Sequence, residues 1–546
     1  MTAADAQALS GARTAPVLEV RGLDIALPAG SGRASALKGV SLRVERAQTL
    51  CVIGAPGAGK SVLARAVAGL LPHTLPISAG HIVLQGEDIT QAGAQRQRGL
   101  RAARVGIVWR EPALDPRMSC GEQIDEVLRS HTRLTRSERQ AKVQATLAEL
   151  GLAAPERIAA SWPHQISAGE RQRVAMAMAF VLDPALLVAD EATSALDALG
   201  QAQLLALLRE MQERRGTAML VMTHDAGVAA RIAHRVAVLH AGEAVEIGAA
   251  DQVLHAPRHE ITRTLTAETP TLQWRERALD AHAPVVLRVR ALAKSYEDRR
   301  WFGARAPVQA VRDVSFELRR GQTLGLVGAS GAGKSTVARC VVRLETPGSG
   351  SIALGRDEIA NIGAAYLRPL RRRVQIVLPA QGRSLDPRRT IGDMMIEGPL
   401  NFGMPREHAE ERAREMLAMV QVAPGALARH PHELEPAALQ RICLARALMV
   451  EPELLVVDDS PAASALPLSV PLLELYEDIQ RRLYFAMLFV THDLRAASRV
   501  CDQLAVMQAG RIVEHGVASA VLGDPQHAHT RALLAAVAEP ELAGAG

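Results

Sequence analysis

A glycine-rich pattern occurs twice in this chain and constrains its fold more than any other feature. Residues 54–61 read GAPGAGKS and residues 328–335 read GASGAGKS, and each follows a short apolar run typical of a buried strand. The pattern G-x-x-x-x-G-K-S forms a tight turn between a strand and a helix, where backbone N–H groups can surround phosphate groups. Each copy therefore predicts a strand, a phosphate loop and a helix, in that order.

Other segments repeat along the chain as well. Asp190 and Asp458 end apolar runs, and Thr-His-Asp occurs around His224 and His492, with one shared offset of 268 residues (458 − 190 and 492 − 224). In each copy strands alternate with helices, which favours a parallel sheet covered on both faces. We expect two tandem α/β P-loop domains, residues 1–270 and 285–546, joined by a linker at 271–284. Each should contain a parallel-sheet core, a β-rich subdomain and a helical subdomain.

Composition narrows the class of protein. The chain has 546 residues, more than a single core accommodates, and a net charge of only +5 with no dense basic block, so nucleic acid is not an expected partner. No apolar run reaches the roughly 18 residues of a membrane-spanning helix. Five scattered cysteines without a C-x-x-C pair suit a reducing cytosol.

The segment 165–197 combines a helix start with a strand end. Ser167 is a good helix cap with Glu170 in the first turn, and the apolar run 186–189 predicts a buried strand that leads to Asp190 and Glu191. Ligands bind at the carboxyl ends of such strands. Helix N-termini and strand-end carboxylates are suited to phosphates and Mg²⁺.

Both halves resemble the ATP-binding subunits of ABC transporters over nearly the whole chain. The resemblance rests on the two phosphate loops, ISAGERQR at 166–173, LLVADEATSALD at 186–197 and the two Thr-His-Asp segments. The tails APRHEITRTL and DPQHAHTRALL, with WPHQ and HPHE before the two signatures, are similar to the oligopeptide, dipeptide and nickel import branch. The fusion of two halves resembles the tandem ATPases of microcin C-type peptide importers.

The resemblance implies that the chain is an ATPase that binds ATP and Mg²⁺. By this resemblance Glu191 and Asp459 hold the position of the general base, and His224 and His492 that of the histidine next to the γ-phosphate. The implied metal-binding residues are Ser61, Asp190, Ser335 and Asp458. The implied nucleotide contacts are Gly54, Gly57, Ala58, Gly59, Lys60, Ser61, Val62, Ser167, Gly169, Glu170, Tyr296, Gly328, Gly331, Ala332, Gly333, Lys334, Ser335 and Thr336.

Several residues depart from the family pattern. In the family, the signature of one half closes over the nucleotide of the other half, but Glu435 and Pro436 stand where the first signature has Ser167 and Ala168. The Glu435 carboxylate would repel a γ-phosphate, whereas Pro436 is well placed to start a helix.

Other departures concern the base and its surroundings. Asp459 is one methylene shorter than the family's Glu. Arg110 and Pro379 replace the Gln that contacts Mg²⁺, and Leu27 stands where the second half has the adenine-stacking Tyr296. We therefore expect two impaired composite sites and low turnover.

The leading hypothesis is an ATPase that powers import of peptides or similar small solutes. It would lie peripherally on the cytoplasmic face of the inner (plasma) membrane, with two integral-membrane permeases and an extracytoplasmic solute-binding protein. One alternative is a nucleotide-dependent scaffold without catalysis. Another is a soluble ribosome-associated tandem ATPase, which the short linker and the degenerate second signature disfavour. Self-association through the first half also stays open, because that half alone carries a complete set of motifs.

Overall fold

A computed structural model describes residues 15–28, 34–101, 103–194, 196–267, 272–273, 280, 282–296, 308–378, 384–459 and 469–537. The chain divides into two compact units, and the division falls near residue 270. Within the described ranges, no helix combines the length and the apolar character needed to cross a membrane.

The first unit alternates strands and helices as its sequence predicts. Its strands are β1 (Leu18–Ala26), β2 (Ser35–Val44), β3 (Thr49–Ile53), β4 (Ile77–Leu84), β5 (Glu87–Asp88), β6 (Val105–Trp109), β7 (Leu186–Asp190), β8 (Ala218–Thr223), β9 (Arg235–His240) and β10 (Glu243–Ala249). Its helices are α1 (Lys60–Val67), α2 (Ala94–Leu100), α3 (Cys120–His131), α4 (Arg136–Glu149), α5 (Pro155–Ala160), α6 (Ala168–Phe180), α7 (Ala198–Arg215), α8 (Ala226–Ile232), α9 (Ala250–His255) and α10 (Glu260–Ala267).

The second unit repeats this order. Its strands are β11 (Val285–Tyr296), β12 (Val308–Arg319), β13 (Thr323–Gly328), β14 (Ser349–Leu354), β15 (Asp357–Glu358), β16 (Val374–Val377), β17 (Leu454–Asp459), β18 (Ala486–Thr491), β19 (Gln503–Gln508) and β20 (Arg511–Val517). Its helices are α11 (Lys334–Val341), α12 (Ala364–Leu370), α13 (Ile391–Asn401), α14 (Arg406–Met419), α15 (Pro436–Leu448), α16 (Val470–Leu483), α17 (Leu494–Val500), α18 (Ala518–Gly523) and α19 (Ala528–Val537).

Each unit contains two sheets with the same topology in both units. The six-stranded sheets have the orders β10-β9-β3-β8-β7-β6 and β20-β19-β13-β18-β17-β16, and all neighbours are parallel except the pairs β9–β10 and β19–β20. The four-stranded antiparallel sheets have the orders β2-β1-β4-β5 and β12-β11-β14-β15. Together with the helices between β6 and β7 and between β16 and β17, they confirm the predicted fold class.

The phosphate loops follow the central strands of these sheets, which are buried on both faces. In β3, Leu50 and Val52 pack into the core below the antiparallel sheet, whereas Cys51 and Ile53 pack with the helical part. Successive side chains of a strand point to opposite faces, so β3 joins the two cores. The sheet therefore holds the loop that follows it on a rigid support.

Candidate nucleotide-binding sites

The two phosphate loops have the same backbone conformation, and glycine is required in it. Gly59 and Gly333 are the N-caps of α1 and α11, with left-handed φ values of 109° and 101°. A Cβ atom at Gly59 would lie 2.8 Å from the carbonyl oxygen of Ala36, and one at Gly333 only 2.3 Å from that of Ala310. The loop backbone can take this path only without a side chain.

Each loop lysine folds back onto its own loop. Lys60 Nζ donates to the carbonyl oxygens of Gly54 and the next residue at 2.6 and 3.1 Å. Lys334 Nζ makes the same contacts to Gly328 and the next residue at 2.8 and 3.0 Å. Burial lowers the pKa of Lys60, and it lowers that of Lys334 to about 8. Both amines are thus fixed where the helix N-terminus also attracts anions.

The remaining predicted loop contacts lie in these two loops and the first turns of α1 and α11: Gly54, Gly57, Ala58, Val62, Gly328, Gly331, Ala332 and Thr336.

A hydroxyl meets a strand-end carboxylate in both halves. Ser335 Oγ donates to Asp458 Oδ1 at 3.0 Å, and Ser61 hydrogen-bonds Asp190. Burial raises the pKa of both aspartates, and Asp190 Oδ1 is buried without a hydrogen-bond partner. Hydroxyl and carboxylate oxygens are ligands that Mg²⁺ accepts, and the unpartnered oxygen leaves a ligand position, so these residues fit the ion. In the described ranges no group of three or more His, Cys, Asp or Glu is arranged to hold a metal, so water and phosphate oxygens would complete the set.

Glu191 leaves strand β7 by a sharp turn in the first half. Its φ is 50°, and its N–H donates to the carbonyl oxygen of Met222 at 3.0 Å. This turn brings Glu191 Oε1 within 2.9 Å of His224 Nδ1. Burial raises the pKa of Glu191, but the bond to His224 and the charges of His224, Lys60 and Arg110 outweigh it and hold that pKa below its usual value. Glu191 is therefore an ionised carboxylate next to the phosphate loop.

Asp459 takes a different direction in the second half. It continues strand β17, opposite Thr491 of β18, and its Oδ2 accepts a hydrogen bond from the Thr491 hydroxyl at 3.2 Å. Burial raises the pKa of Asp459. His492 Nδ1, the counterpart of the His224 atom that contacts Glu191, is buried without a hydrogen-bond partner. The catalytic roles of Asp459 and His492 stay predictions, and the structure joins Asp459 to Thr491.

The first signature starts helix α6 with a complete capping box. Ser167 Oγ accepts from the N–H of Glu170 at 3.2 Å, and Glu170 Oε2 accepts from the N–H of Ser167 at 2.8 Å. Glu170 also bonds Arg157 at 2.6 Å. A cavity of about 410 Å³ lies next to this helix start. Its lining includes Ser167, Gly169, Glu170, Arg173, Gln203 and Leu204.

The second signature starts a helix without a side-chain cap. Glu435 is the N-cap of α15 and makes no capping hydrogen bond, while Pro436 occupies the first helical turn. This confirms that Pro436 allows the helix to start. Glu435 is exposed, so its carboxylate is a solvated charge at the position where the first half has a hydroxyl.

The position where the resemblance predicts adenine stacking differs in exposure between the halves. Tyr296 ends β11 and is 36% exposed, with Lys294 Nζ 5.2 Å from its ring centroid. A ring with an open face can stack on a base. Leu27, its counterpart, is half-buried against the core of the first unit.

Arg110 follows β6 at the same edge of the sheet as the strand-end carboxylates. Its neighbour Trp109 lies opposite Asp190 in the parallel pair β6–β7. Arg110 therefore leaves β6 at the level where Glu191 leaves β7. Its positive charge helps to keep the Glu191 pKa low. Pro379, the replacement predicted at this position in the second half, lies outside the described residues.

Two glutamates that the sequence analysis missed hold the tails in place. The Glu246 carboxylate accepts from the N–H groups of Arg258 and His259, each at 3.0 Å. The Glu514 carboxylate accepts from the two equivalent N–H groups before α19 at 2.8 and 3.1 Å. Glu246 and Glu514 share the offset of 268 residues that relates the motifs, and this was the signal that could have identified them (514 − 246).

Comparison with known proteins agrees with this geometry. The ABC transporter family matches residues 37–194 and 311–462. The chain is 37% identical to the glutathione import ATP-binding protein GsiA of Salmonella choleraesuis strain SC-B67, over 95% of this chain and 89% of that protein. It is 36% identical to the protein of the same name from Escherichia coli K12, over 96% and 90%.

Among solved structures, the dimeric bacterial ABC transporter cassette MJ0796 shares 26% identity at a TM-score of 0.40, over 43% of this chain and 98% of that one. Two family regions with matching phosphate loops, strand-end carboxylates and signature helices lie in one chain, and relatives align over nearly all of it. The chain therefore belongs to the ABC transporter family and is a tandem ABC-type ATPase.

Proposed function

We propose that this ATPase powers the import of peptides or similar small solutes through separate membrane permeases. The observation that carries the proposal is the duplicated nucleotide site in a chain that import ATP-binding proteins match over 95% of its length. Two permeases and an extracytoplasmic solute-binding protein would complete the transporter. The ATPase would lie peripherally on the cytoplasmic face of the inner membrane.

In this proposal the loop residues bind the nucleotide. The N–H groups of each loop and the ammonium groups of Lys60 and Lys334 neutralise the β- and γ-phosphates. Ser61 with Asp190, and Ser335 with Asp458, would hold Mg²⁺, which when bound neutralises charge that develops on the phosphates. Tyr296 would stack on the adenine of the second nucleotide.

The first half supplies the residues for hydrolysis. Glu191 is ionised and can accept a proton from an attacking water, as a general base does. His224 Nδ1, 2.9 Å from Glu191 Oε1, orients the carboxylate, and by the family resemblance it would also lie next to the γ-phosphate. Glu435 and Asp459 support the further proposal that both composite sites are impaired and turnover is low.

A nucleotide-dependent scaffold is the second candidate, favoured by the uncapped, acidic second signature. A ribosome-associated role has no comparable support. Pairing of the first half with that of a second chain remains a proposal as well, since this half holds the signature, the base and the histidine together.

The test is transport by a reconstituted complex. The chain is co-expressed with candidate permease subunits from the same organism, and the complex is placed in vesicles with ATP on the side of the ATPase. We expect ATP-dependent uptake of labelled glutathione or di- to tetrapeptides in the presence of the solute-binding protein, lost in Glu191→Gln. ATP-dependent uptake that survives Glu191→Gln would contradict the assigned base. ATP hydrolysis without any uptake would favour a function other than import.

A further inference from the structure

The central strands of the two halves start with equivalent hydrogen bonds that use different side chains. In the first half, the His234 N–H donates to the Thr49 carbonyl at 3.0 Å, and the Thr49 N–H donates to His234 Nδ1 at 3.1 Å. In the second half, the Asp502 N–H donates to the Thr323 carbonyl at 2.9 Å, and the Thr323 N–H donates to Asp502 Oδ2 at 2.7 Å. These bonds fix the points where β3 joins β9 and where β13 joins β19.

The two acceptors respond differently to a proton. A backbone N–H can only donate, so His234 Nδ1 carries no proton in this contact and the ring is neutral. Protonation would place an N–H on Nδ1, and two donors would then face each other. An aspartate keeps an acceptor oxygen whether or not it is protonated. Only the contact of the first half is therefore lost when its side chain gains a proton.

The surroundings of Thr49 make this loss costly. Thr49 is fully buried, and its hydroxyl oxygen already accepts a hydrogen bond from Gln212 Nε2 at 2.8 Å. A buried N–H without an acceptor destabilises the closed form, and separation of β3 from β9 would let water replace the lost partner. His234 itself keeps exposed surface, so a proton can reach it from the solvent.

The charges around His234 favour its neutral form. Partial burial lowers the pKa of His234 below its usual value of 6.5, and the charge of Arg209 on α7 adds to this effect, whereas Glu213 opposes it. Because the pKa is lower in the closed form, the contact stabilises the first half above pH 6.5, and this stabilisation is lost as the pH falls. Four other charged groups on neighbouring elements, within the described ranges, do not shift this pKa: Glu45, Arg46, Arg231 and Asp251.

We propose that His234 is a pH-sensitive switch, which releases the Thr49 N–H when it gains a proton and opens the start of the strand that leads to the first phosphate loop. Strand β3 has five residues, and the loop begins directly after it at Gly54. Asp502 keeps the second half closed over the same pH range. Mild acid would therefore weaken the support of the first loop alone. An effect on turnover rests in addition on the proposed hydrolysis by the first half.

The test measures hydrogen exchange of single amides in the full-length chain at pH 7.5 and 5.5. Protection factors are compared, since they remove the pH dependence of the exchange chemistry itself. If the opened form has the usual histidine pKa, linkage limits the loss of Thr49 protection between these pH values to about tenfold. We expect a loss of about three- to tenfold at Thr49 and less than about twofold at Thr323. Equal protection of Thr49 at both pH values would overturn the switch.

Three variants separate the switch from a general effect of acid. His234→Asn keeps a side-chain acceptor that does not titrate, and His234→Asp copies the second half, so Thr49 should be protected equally at both pH values in each. Asp502→His should transfer the pH dependence to Thr323. A loss of Thr49 protection that persists in folded His234→Asn would assign it to another group and overturn the role of His234.

Steady-state ATPase rates show whether the opening affects turnover. The rate at pH 5.5 relative to pH 7.5 should be at least twofold higher in His234→Asn than in the wild type. Because protonation of ATP and of Glu191 affects both proteins alike, this ratio isolates His234. Equal ratios would overturn the effect on turnover and leave the ATPase assignment intact. A wild type without ATPase activity at either pH would contradict the proposed hydrolysis, and the exchange of Thr49 would still decide the switch.

Discussion

The two halves share strand order, loop conformation and the pairing of a loop serine with a strand-end aspartate, and they diverge at the residue after that aspartate. In the first half the strand ends at Asp190 and Glu191 turns toward His224; in the second half the strand continues through Asp459, which bonds Thr491. One residue of strand thus decides whether this carboxylate contacts the histidine or accepts a hydrogen bond from the threonine before it. The comparison teaches that a repeated fold can keep the same loop conformation while the carboxylate after the strand-end aspartate takes a different direction.

The largest expected effect tests this divergence directly. Glu191→Gln removes the only one of the two carboxylates that contacts its histidine, so the ATPase rate should fall by about 10²–10⁴-fold, as expected for loss of a general base. Asp459→Asn should lower it by less than about tenfold, since the Asp459 carboxylate hydrogen-bonds Thr491 and not His492 Nδ1. Steady-state phosphate release measures both, with nucleotide binding as the control for folding. Equal losses in the two variants would remove the distinction between the halves.

The second prediction concerns the charge next to the base. Glu191 accepts hydrogen bonds as a base only when ionised, so activity falls as the pH drops through its pKa. Arg110 helps to lower that pKa, and Arg110→Gln should therefore move the acid limb of the rate profile to higher pH. We expect about one unit or less, at the lower end of the effect of a nearby opposite charge.

The matched control for Arg110→Gln is Arg117→Gln. Arg117 is 87% exposed and pairs with Asp115 in the loop after the same strand. This variant should leave the profile in place. A profile that moves to lower pH in Arg110→Gln, or moves equally in both variants, would contradict the role of Arg110.

The third prediction compares the two signature helices. Ser167→Ala removes a cap hydrogen bond and should destabilise the start of α6 by about 1 kcal/mol. Glu435→Ala removes no cap and should change the start of α15 by less than about 0.5 kcal/mol. Hydrogen exchange of the first-turn amides reports both, and the Glu170 amide should exchange about fivefold faster in Ser167→Ala. If Ser167→Ala changed the exchange of its first-turn amides as little as Glu435→Ala does, Ser167 would contribute nothing as a cap.

Features set by local chemistry could be predicted from the sequence. The glycines and lysines of the loops, the cap at Ser167 and the helix start at Pro436 follow from the conformational limits of these residue types, and the structure has all of them. The parallel core sheets followed from the alternation of strands and helices.

Features that depend on contacts between residues far apart in the sequence could not be predicted. Asp459 bonds Thr491 of the Thr-His-Asp motif, but the same motif occurs in the first half, so its presence does not predict that Asp459 stays in its strand. Glu246 and Glu514 are half-buried, and the repeat offset of 268 residues marks them as a pair (514 − 246). The offset does not show that their carboxylates accept hydrogen bonds from the tail N–H groups, which are distant in the sequence.

The smallest expected effect distinguishes the two loop lysines. Burial lowers the pKa of both lysines against the opposing charge of nearby carboxylates, and it lowers that of Lys334 to about 8, so close to half of the Lys334 side chains are neutral at pH 8. Phosphates stabilise the ammonium form and raise the lysine pKa. Binding of a non-hydrolysable ATP analogue to the second loop at pH 8 should therefore take up at most about half a proton. At pH 6.5 the lysine is charged before and after binding, and this uptake should vanish. Calorimetry of Lys60→Ala in buffers of different ionisation enthalpy measures this proton uptake.

The control is Lys334→Arg in the same background, which keeps the charge but cannot titrate, so its proton uptake at pH 8 should fall to that at pH 6.5. Uptake that Lys334→Arg leaves unchanged would assign the proton to another group.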